Sequence, residues 1–288
     1  MTAYRPRWRS LLYVPVVSER FVAKAHERGA DAIILELEDA VAPSEKDRAR
    51  TLIPAAAARV GRGGADVLVR VNRPWRLAVR DVEAAVGPDV RGLVLPKVDS
   101  AEHVLALAEI AASVEEERGL PAGHTVLFPR IEGPRGLLNV AEIAAAHPRV
   151  VAIGLGSSDY TIATGMEAGG AGNAMASFLV VNAAKAAGIE AIGLTGAIVG
   201  FGDLDAFRRS AEDSRALGLR GAPCVHPSQV PILNEVFSPT ADELARARRV
   251  VEEYERALAA GEGAITVDGE FVDVPFYEQA KRLLAHGA

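Results

Sequence analysis

A closed barrel of eight parallel strands, each followed by a helix, is the fold class that this sequence predicts: the α/β fold known as the (β/α)₈ or TIM barrel. Short apolar runs alternate with helix-like segments along nearly all of the 288 residues. The runs lack clean polar–apolar alternation, which is typical of strands covered on both faces in a parallel sheet. Eight such units match the size of this barrel. An open, doubly wound sheet is the alternative, but no Gly-x-Gly-x-x-Gly motif follows the first run.

Each predicted strand is an apolar run that ends at a turn residue or a charged residue. Pro15 stops the first run, and the second run, DAIILELE, ends in an acidic cluster. In chain order, the spacing predicts strands at Arg9–Val14, Asp31–Glu38, Asp66–Asn72, Gly92–Val98, Thr125–Glu132, Val150–Gly156, Ile189–Thr195 and approximately Gly221–His226.

Residues that cap or break helices indicate where the predicted helices begin and end. Ser18 and Ser44 are N-cap residues for the helices after the first two strands. Gly119 and Pro121 end a long amphipathic helix, and the glycine-rich segment Gly165–Gly172 predicts an irregular loop. The other predicted helices lie near Leu77–Val86, Ala101–Arg118, Gly136–Ala146, Ala174–Ala187, after Leu204, and at Ser228–Val236 and Ala241–Ala260.

Two parts are expected in the chain: a catalytic barrel domain at residues 1–260 and a C-terminal segment at residues 261–288. Asp268–Gly269 lies between two short apolar runs, which is a hairpin signal, and a helix-like segment follows. A hairpin plus helix of this kind can serve as a lid or as an oligomer arm.

Composition excludes several classes of function. The formal charge is −6 and the basic residues are dispersed, so nucleic-acid binding is not expected. No apolar stretch is long enough for a membrane span or a signal peptide, so we expect no membrane partner and a cytoplasmic location. The single cysteine, Cys224, excludes an intrachain disulfide. A nucleophilic pair with His226 is conceivable, but a core thiol is the more usual role.

Two carboxylates are the main candidates for a metal site. Glu132 and Asp159 stand at or just after the ends of the fifth and sixth predicted strands. The carboxyl ends of barrel strands converge on one rim, so these side chains can bind one cation together. Two carboxylates completed by water and substrate oxygens suit Mg²⁺. Solvated loop acids in salt bridges are the alternative.

Other polar residues at the same rim have two interpretations each. Arg70 either pairs with the acids of the second strand or holds a substrate carboxylate. Glu38, Asp39 and Lys97 fit an outer-shell role around a metal ion. Lys97 can attract an anion or form a Schiff base, and the latter requires a lowered pKa.

Small residues follow the sixth strand. Gly156, Ser157 and Ser158 either offer backbone N–H groups to a substrate carboxylate or form an ordinary turn. Structural roles are expected for four further residues: His226, Gln229, Trp8 and Trp75.

The ordered motifs of the chain resemble a known family. RSLLYVP, DAIILELEDAVAPSEKDRAR, VLVRVN, LVLPKVDS, RIEGPRGLLNVAEIAAA, GLGSSDYT, CVHPSQVPILNEVFSP and DGEFVDVP occur in the order seen in citrate lyase β-subunit-like proteins and malyl-CoA lyases. These proteins belong to the HpcH/HpaI aldolase superfamily, and the resemblance covers about residues 9–285.

The resemblance implies a (β/α)₈ barrel that binds Mg²⁺, or Mn²⁺, through Glu132 and Asp159. Arg70 matches an arginine that contacts keto-acid oxygens and stabilises enolate charge. Asp273 matches an acid on a C-terminal lid that reaches the active site of a neighbouring subunit, which implies a homotrimer or hexamer. The implied reaction is the reversible Claisen-type cleavage of a 3-hydroxyacyl-CoA into acetyl-CoA and a 2-oxo acid, with coenzyme A as part of the substrate.

Departures from the family pattern leave alternatives open. Val16 follows Pro15 where glycine is common, Gly133 follows the metal glutamate, and Gly193 lies where an Asp-containing motif is usual. A divergent acyl-CoA, a malyl-CoA thioesterase and a CoA-independent 2-oxo-acid aldolase are therefore alternatives, together with a non-enzymatic ligand-binding barrel.

Overall fold

The computed structural model describes residues 4–167, 170–196 and 202–287. The chain forms two compact units, and the boundary between them in the sequence lies after Phe237. The first unit contains eight parallel strands: β1 (Ser10–Pro15), β2 (Ala32–Glu36), β3 (Asp66–Arg70), β4 (Gly92–Leu95), β5 (Val126–Ile131), β6 (Ala152–Leu155), β7 (Glu190–Ala191) and β8 (Ala222–Cys224).

Helices alternate with these strands: α1 (Glu19–Ala25), α2 (Lys46–Val60), α3 (Trp75–Ala85), α4 (Ala101–Glu117), α5 (Pro134–Leu138), α6 (Val140–Ala144), α7 (Ser157–Thr164), α8 (Ala171–Ala187), α9 (Leu204–Leu217) and α10 (Val230–Val236). Ser18 occupies the N-cap position of α1, as expected, whereas Ser44 lies inside a short 3₁₀ turn before α2. No helix in the described part of the chain has the length and apolarity that crossing a bilayer requires.

The strands follow the order β7-β6-β5-β4-β3-β2-β1-β8 in one sheet. Hydrogen bonds from Arg220 N to Ala191 O and from Gly193 N to Gly221 O join its two edges. The sheet therefore closes on itself, and the predicted (β/α)₈ barrel is confirmed.

Alternate strand residues fill the barrel interior. Leu11, Ile34, Leu68 and Phe128 are fully buried there, and Trp8 packs beneath them with its indole N–H on Asp66. The intervening residues face the helices and form the larger apolar cluster. The interior is thus a packed core, and the rim at the carboxyl ends of the strands remains for function.

Differences from the predicted elements concentrate after β6. Helix α7 was not predicted, although serine and aspartate at its start are residues that favour a helix N-terminus. Helix α8 begins at Ala171, three residues before the predicted start, and residues 168–169 of the predicted loop lie outside the described residues. Strand β7 stops at Ala191, so Gly193 lies beyond it.

The second unit consists of α11 (Ala241–Ala259), β9 (Ile265–Val267), β10 (Glu270–Val272) and α12 (Val274–Gly287). The antiparallel β9–β10 pair is the predicted hairpin, and Asp268 and Gly269 in its turn have positive φ. Tyr254 of α11 stacks on Tyr277 of α12, with 4.9 Å between the ring centroids. Residues of α11 therefore share one core with the hairpin, although the sequence analysis grouped them with the barrel.

Candidate active site

Glu132 and Asp159 lie at the carboxyl ends of two neighbouring strands. Glu132 directly follows β5, and Asp159 is the third residue of α7, which begins two residues after β6. Asp159 is close enough to Glu132 for its charge to raise the pKa of that carboxyl group. The structure therefore brings together the two carboxylates that were predicted as metal ligands.

The Glu132 carboxylate is buried, with 5% of the residue exposed. Its Oε2 accepts a hydrogen bond from Lys97 N at 3.2 Å. Burial raises the pKa of Glu132 to about 7; Glu38 and Asp159 contribute to the rise, and Arg130 and Arg70 oppose it. A buried carboxylate beside other acids is stabilised in its charged form by a cation.

The donor set fits a hard divalent cation. Glu132 and Asp159 offer carboxylate oxygens, which are the ligands that Mg²⁺ prefers. Within residues 4–167, 170–196 and 202–287, no group of three or more Asp, Glu, His or Cys side chains is arranged to hold a metal. A cation here would therefore take its remaining ligands from water and substrate.

Arg70 lies at the end of β3 among the acids of the second strand. Its Nε donates to Glu36 Oε2 at 2.5 Å, and its Nη1 is 3.1 Å from Glu38 Oε2. Asp39 is more distant, at 3.8 Å from Nη2. The guanidinium also lies 4.9 Å from the ring centroid of Tyr13. Arg70 therefore pairs with the acids of the second strand, and its charge also lowers the pKa of Glu132. Contact with a substrate carboxylate remains a prediction.

Lys97 contacts both Glu132 and the acids that follow the second strand, Glu38 and Asp39. Its Nζ lies 2.6 Å from Glu38 Oε1 and 3.7 Å from Asp39 Oδ2, while its N–H is bonded to Glu132. Burial alone would lower the pKa of Lys97, but these carboxylates raise it above its ordinary value. A Schiff-base lysine needs the opposite shift, so the structure does not support that interpretation.

The small residues after β6 have different roles. Gly156 N donates to Ile131 O at 2.8 Å, so this N–H is not free for a substrate, contrary to the expectation for Gly156. The Ser157 hydroxyl donates to Gly196 O at 2.8 Å. The Ser158 hydroxyl is buried without a hydrogen-bond partner among the described residues. The first-turn N–H groups of α7 remain as donors for a carboxylate.

Two residues of this region were not identified from the sequence. Tyr13 lies beside Arg70, and Arg130 lies in the barrel interior two residues before Glu132. Strand periodicity carries a usable signal for Arg130, because residues two apart in a strand share a face. Tyr13 carries no such signal, since an aromatic residue in an apolar strand is usually read as core.

Asp273 belongs to the second unit. It lies between β10 and α12, where its carbonyl accepts a hydrogen bond from Tyr277 N. Its Oδ1 is buried and has no hydrogen-bond partner among the described residues. A role in catalysis remains a prediction for this residue.

The other residues considered in the sequence have structural roles except Trp75, which was expected to pack but is 44% exposed. Cys224 is fully buried in the core around the barrel, and burial raises the pKa of its thiol to about 12. Gln229 and His226 form a reciprocal capping box at the turn after β8. Trp8 packs below the barrel, as expected.

A cavity of about 520 Å³ lies against α1, beside the ends of β1 and β8. Three cationic side chains, Arg20, Lys24 and Arg28, line it together with the exposed ring of Phe21. The described residues that line it include no acid. Clustered cations and an aromatic surface suit a ligand with phosphate groups and a flat ring.

Comparisons with known proteins agree with this geometry. The profile of the family described as HpcH/HpaI aldolase/citrate lyase matches residues 9–227. Citrate lyase subunit beta of Leuconostoc mesenteroides subsp. cremoris is 33% identical over 279 residues, which cover 96% of this chain and 92% of that protein. The (3S)-malyl-CoA thioesterase of Cereibacter sphaeroides (strain ATCC 17025 / ATH 2.4.3) is 34% identical over an alignment of 294 positions, which covers 96% of this chain and 94% of that protein.

A solved structure is similar over the whole length. The crystal structure of protein CitE from Mycobacterium tuberculosis, in complex with magnesium, acetoacetate and coenzyme A, superposes with a TM-score of 0.76 and 28% identity, covering 100% of this chain and 99% of that one. The fold, the profile match and these relatives lead to one conclusion: the chain belongs to the HpcH/HpaI aldolase/citrate lyase family.

Proposed function

We propose that the protein is a Mg²⁺-dependent lyase that cleaves a 3-hydroxyacyl-CoA, such as malyl-CoA or citramalyl-CoA, into acetyl-CoA and a 2-oxo acid. Its relatives are carbon–carbon lyases, and the chain belongs to that class of enzyme. The proposal adds the identity of the substrate. The observation that carries the proposal is the placement of Glu132 and Asp159 just after the neighbouring strands β5 and β6 at one rim, together with the buried ion pairs that hold Arg70.

Glu132 and Asp159 would hold Mg²⁺, or Mn²⁺ in its place. The ion supplies Lewis-acid polarisation of a 2-oxo-acid carbonyl. Lys97 N–H orients Glu132, and the Lys97 ammonium compensates Glu38 and Asp39. These contacts support outer-shell roles for the three residues.

Arg70 would stabilise the negative charge that develops on the enolate oxygen. Its guanidinium is held by Glu36 and Glu38 and packs on Tyr13, so little reorganisation is needed when the charge appears. The Ser157 and Ser158 N–H groups at the start of α7 would bind the carboxylate of the oxo acid.

The cavity beside α1 supports a coenzyme A thioester as the substrate. Arg20, Lys24 and Arg28 would pair with its phosphates, and Phe21 offers a surface for the adenine ring. The similar protein from Mycobacterium tuberculosis was crystallised with coenzyme A, which supports the same ligand class here.

A homotrimer or hexamer is the proposed assembly, with Asp273 as a lid acid that serves a neighbouring subunit. Leu138 on α5 and Ile162 on α7 are 87% and 79% exposed, and Phe178 of α8 is also exposed. Because α5 contacts both α7 and α8, these side chains can form one apolar surface, which is typical of an interface. Light scattering tests this assembly: Phe178→Asp should lower the measured mass.

A thioesterase is the second candidate, because one relative carries that name. Hydrolysis requires water to attack the thioester at the same rim, whereas lyase chemistry requires its exclusion. A CoA-independent aldolase is the third candidate, although the cationic cavity argues against it. The cytoplasmic location stays a prediction.

One assay separates these reactions. Purified protein with Mg²⁺ is incubated with malyl-CoA or citramalyl-CoA, and 2-oxo acid, acetyl-CoA and free thiol are followed separately. A lyase releases oxo acid and acetyl-CoA, whereas a thioesterase releases free CoA and intact hydroxy acid. If neither substrate reacts but free hydroxy acids are cleaved, the CoA-dependent proposal is wrong. Glu132→Ala should abolish Mg²⁺-dependent turnover, and the exposed Glu142→Gln is the control.

A further inference from the structure

Two pairs of residues interlock across β5 and β6. Arg130 on β5 is in register with Gly154 on β6, and Glu132 faces Gly156 two residues further on. A Cβ atom added to Gly154 would lie closest to the backbone oxygen of Ile192, with Arg130 Nη1 next at 2.7 Å, and one added to Gly156 would lie 2.4 Å from Glu132 Cγ. Glycine at position 154 therefore leaves room for both the Ile192 carbonyl and the Arg130 guanidinium that donates to it, and glycine at position 156 leaves room for Glu132.

Arg130 is buried, with 3% of the residue exposed, and none of the described carboxylates lies within ion-pair distance of it. Its Nη2 donates to Leu155 O at 2.9 Å, and its Nη1 donates to Ile192 O at 3.4 Å. Nε has no hydrogen-bond partner among the described residues. A buried guanidinium is costly unless its donors are satisfied, so these carbonyls largely determine where Arg130 lies.

The carbonyls of Leu155 and Ile192 lie where the chain leaves β6 and β7. Leu155 is the last residue of β6, and Gly156 N returns a hydrogen bond to Ile131 O of β5. The Arg130 side chain thus ties the end of β6 to β5 in addition to the main-chain pairing of the two strands. Helix α7 starts directly after this point and carries Asp159.

We propose that Arg130 is a positioning residue that fixes Asp159 relative to Glu132 through the end of β6, and that Gly154 is the space that admits it. The inference rests on the proposed function only in taking these two carboxylates as the metal ligands. In this proposal Arg130 contacts neither the metal nor the substrate and acts through the carbonyl of Leu155, which accepts a hydrogen bond from its Nη2.

The test is metal binding, measured by calorimetry with Mg²⁺ and by electron paramagnetic resonance with Mn²⁺. Arg130→Lys keeps the charge but cannot reach both carbonyls, and Gly154→Ala crowds both the Arg130 guanidinium and the Ile192 carbonyl that accepts from it. Both should raise the dissociation constant by about tenfold or more, the usual effect of losing a contact that orients metal ligands. Turnover of Arg130→Lys should recover when Mg²⁺ is raised, as expected for weaker metal binding.

Matched controls separate positioning from stability. Arg149→Lys weakens another buried arginine, which pairs with Glu115 at 2.6 Å, and Gly92→Ala crowds another strand backbone, because a Cβ added at the start of β4 would lie 2.6 Å from Val126 O. Arg149→Lys and Gly92→Ala should keep the metal affinity of the original protein. Equal affinity in Arg130→Lys and Gly154→Ala, or equal loss in the controls, would overturn the inference.

The same titration distinguishes the two proposals. If the original protein binds no divalent ion, or if Glu132→Ala binds as well as it does, the proposed function itself fails. If Glu132→Ala loses binding while both Arg130→Lys and Gly154→Ala retain it, only the positioning role is wrong.

Discussion

The main chain of Lys97 holds the carboxylate of Glu132, because the Lys97 N–H donates to Oε2 at 3.2 Å. Lys97 has a left-handed backbone, with φ of 51°, which is uncommon for a residue other than glycine. Its ammonium meanwhile pairs with Glu38. One residue thereby orients a metal-ligand candidate with its backbone and neutralises an outer acid with its side chain.

Replacement of Lys97 should therefore spare metal binding. Lys97→Met retains the N–H that holds Glu132, so its loss of Mg²⁺ affinity should stay well below the roughly tenfold expected when an orienting contact is removed. The raised pKa of Lys97 also keeps its amine protonated near neutral pH. Borohydride added with a 2-oxo acid should leave the protein mass unchanged, and a trapped adduct would contradict this.

Arg70→Lys should reduce kcat by about 10²- to 10³-fold, the usual effect of removing a donor from a developing oxyanion. Affinity for Mg²⁺ should change little, because Arg70 is not a ligand. Arg50→Lys is the control: Arg50 is buried and its Nε lies 2.6 Å from Asp81 Oδ1, so it tests the cost of weakening such a pair alone. A similar loss of kcat in Arg50→Lys would assign the effect to stability.

Asp273→Asn should preserve Mg²⁺ binding and slow the chemical step by about 10²- to 10⁴-fold, the range for a general acid or base. If the acid serves a neighbouring subunit, mixing Asp273→Asn with Glu132→Ala under exchange conditions should restore activity. Each variant then supplies what the other lacks. No recovery in verified mixed oligomers would place the acid's action within its own subunit or remove it.

Stability should decrease between neutral and acidic pH because of His103. Burial and the charge of Arg73 lower the pKa of His103 to about 4. From about pH 6.5 down to about 4 the unfolded chain binds a proton that the folded chain excludes. The free energy of unfolding should fall by at most about 1.4 kcal/mol per pH unit from this group.

His103→Phe provides the check, because it retains a ring next to Trp75, whose centroid lies 5.0 Å away. Urea unfolding at pH 7 and pH 5 should show a smaller difference for this variant than for the original protein. An equal difference would show that other groups determine the acid sensitivity.

Most of the barrel could be predicted because apolar runs mark buried strands directly. The end of strand β7 could not, because its apolar run continues to Leu194 although its ladder with β6 ends at Ala191. Helix α7 could not be predicted from Ser157, Ser158 and Asp159, because serine and aspartate are common both in turns and at helix starts.

The convergence of Glu132, Asp159, Arg70, Glu38 and Lys97 at one rim followed from strand ends alone. The individual contacts at the rim could not be predicted, because they depend on the register of the strands. The Glu132 carboxylate is bonded by the Lys97 backbone, and the Arg130 side chain crosses β6 to reach Ile192. Such contacts depend on coordinates rather than residue types.

The filled interior beneath Arg70 has a kinetic consequence for the proposed reaction. Because Phe128, Ile34 and Leu68 block the passage below, both products must depart through the same opening. The oxo acid, next to Glu132, would lie deeper than a thioester anchored by Arg20 and Lys24 near the surface. Acetyl-CoA should consequently leave first, and in synthesis the oxo acid should enter first, an ordered scheme that product-inhibition patterns can reveal.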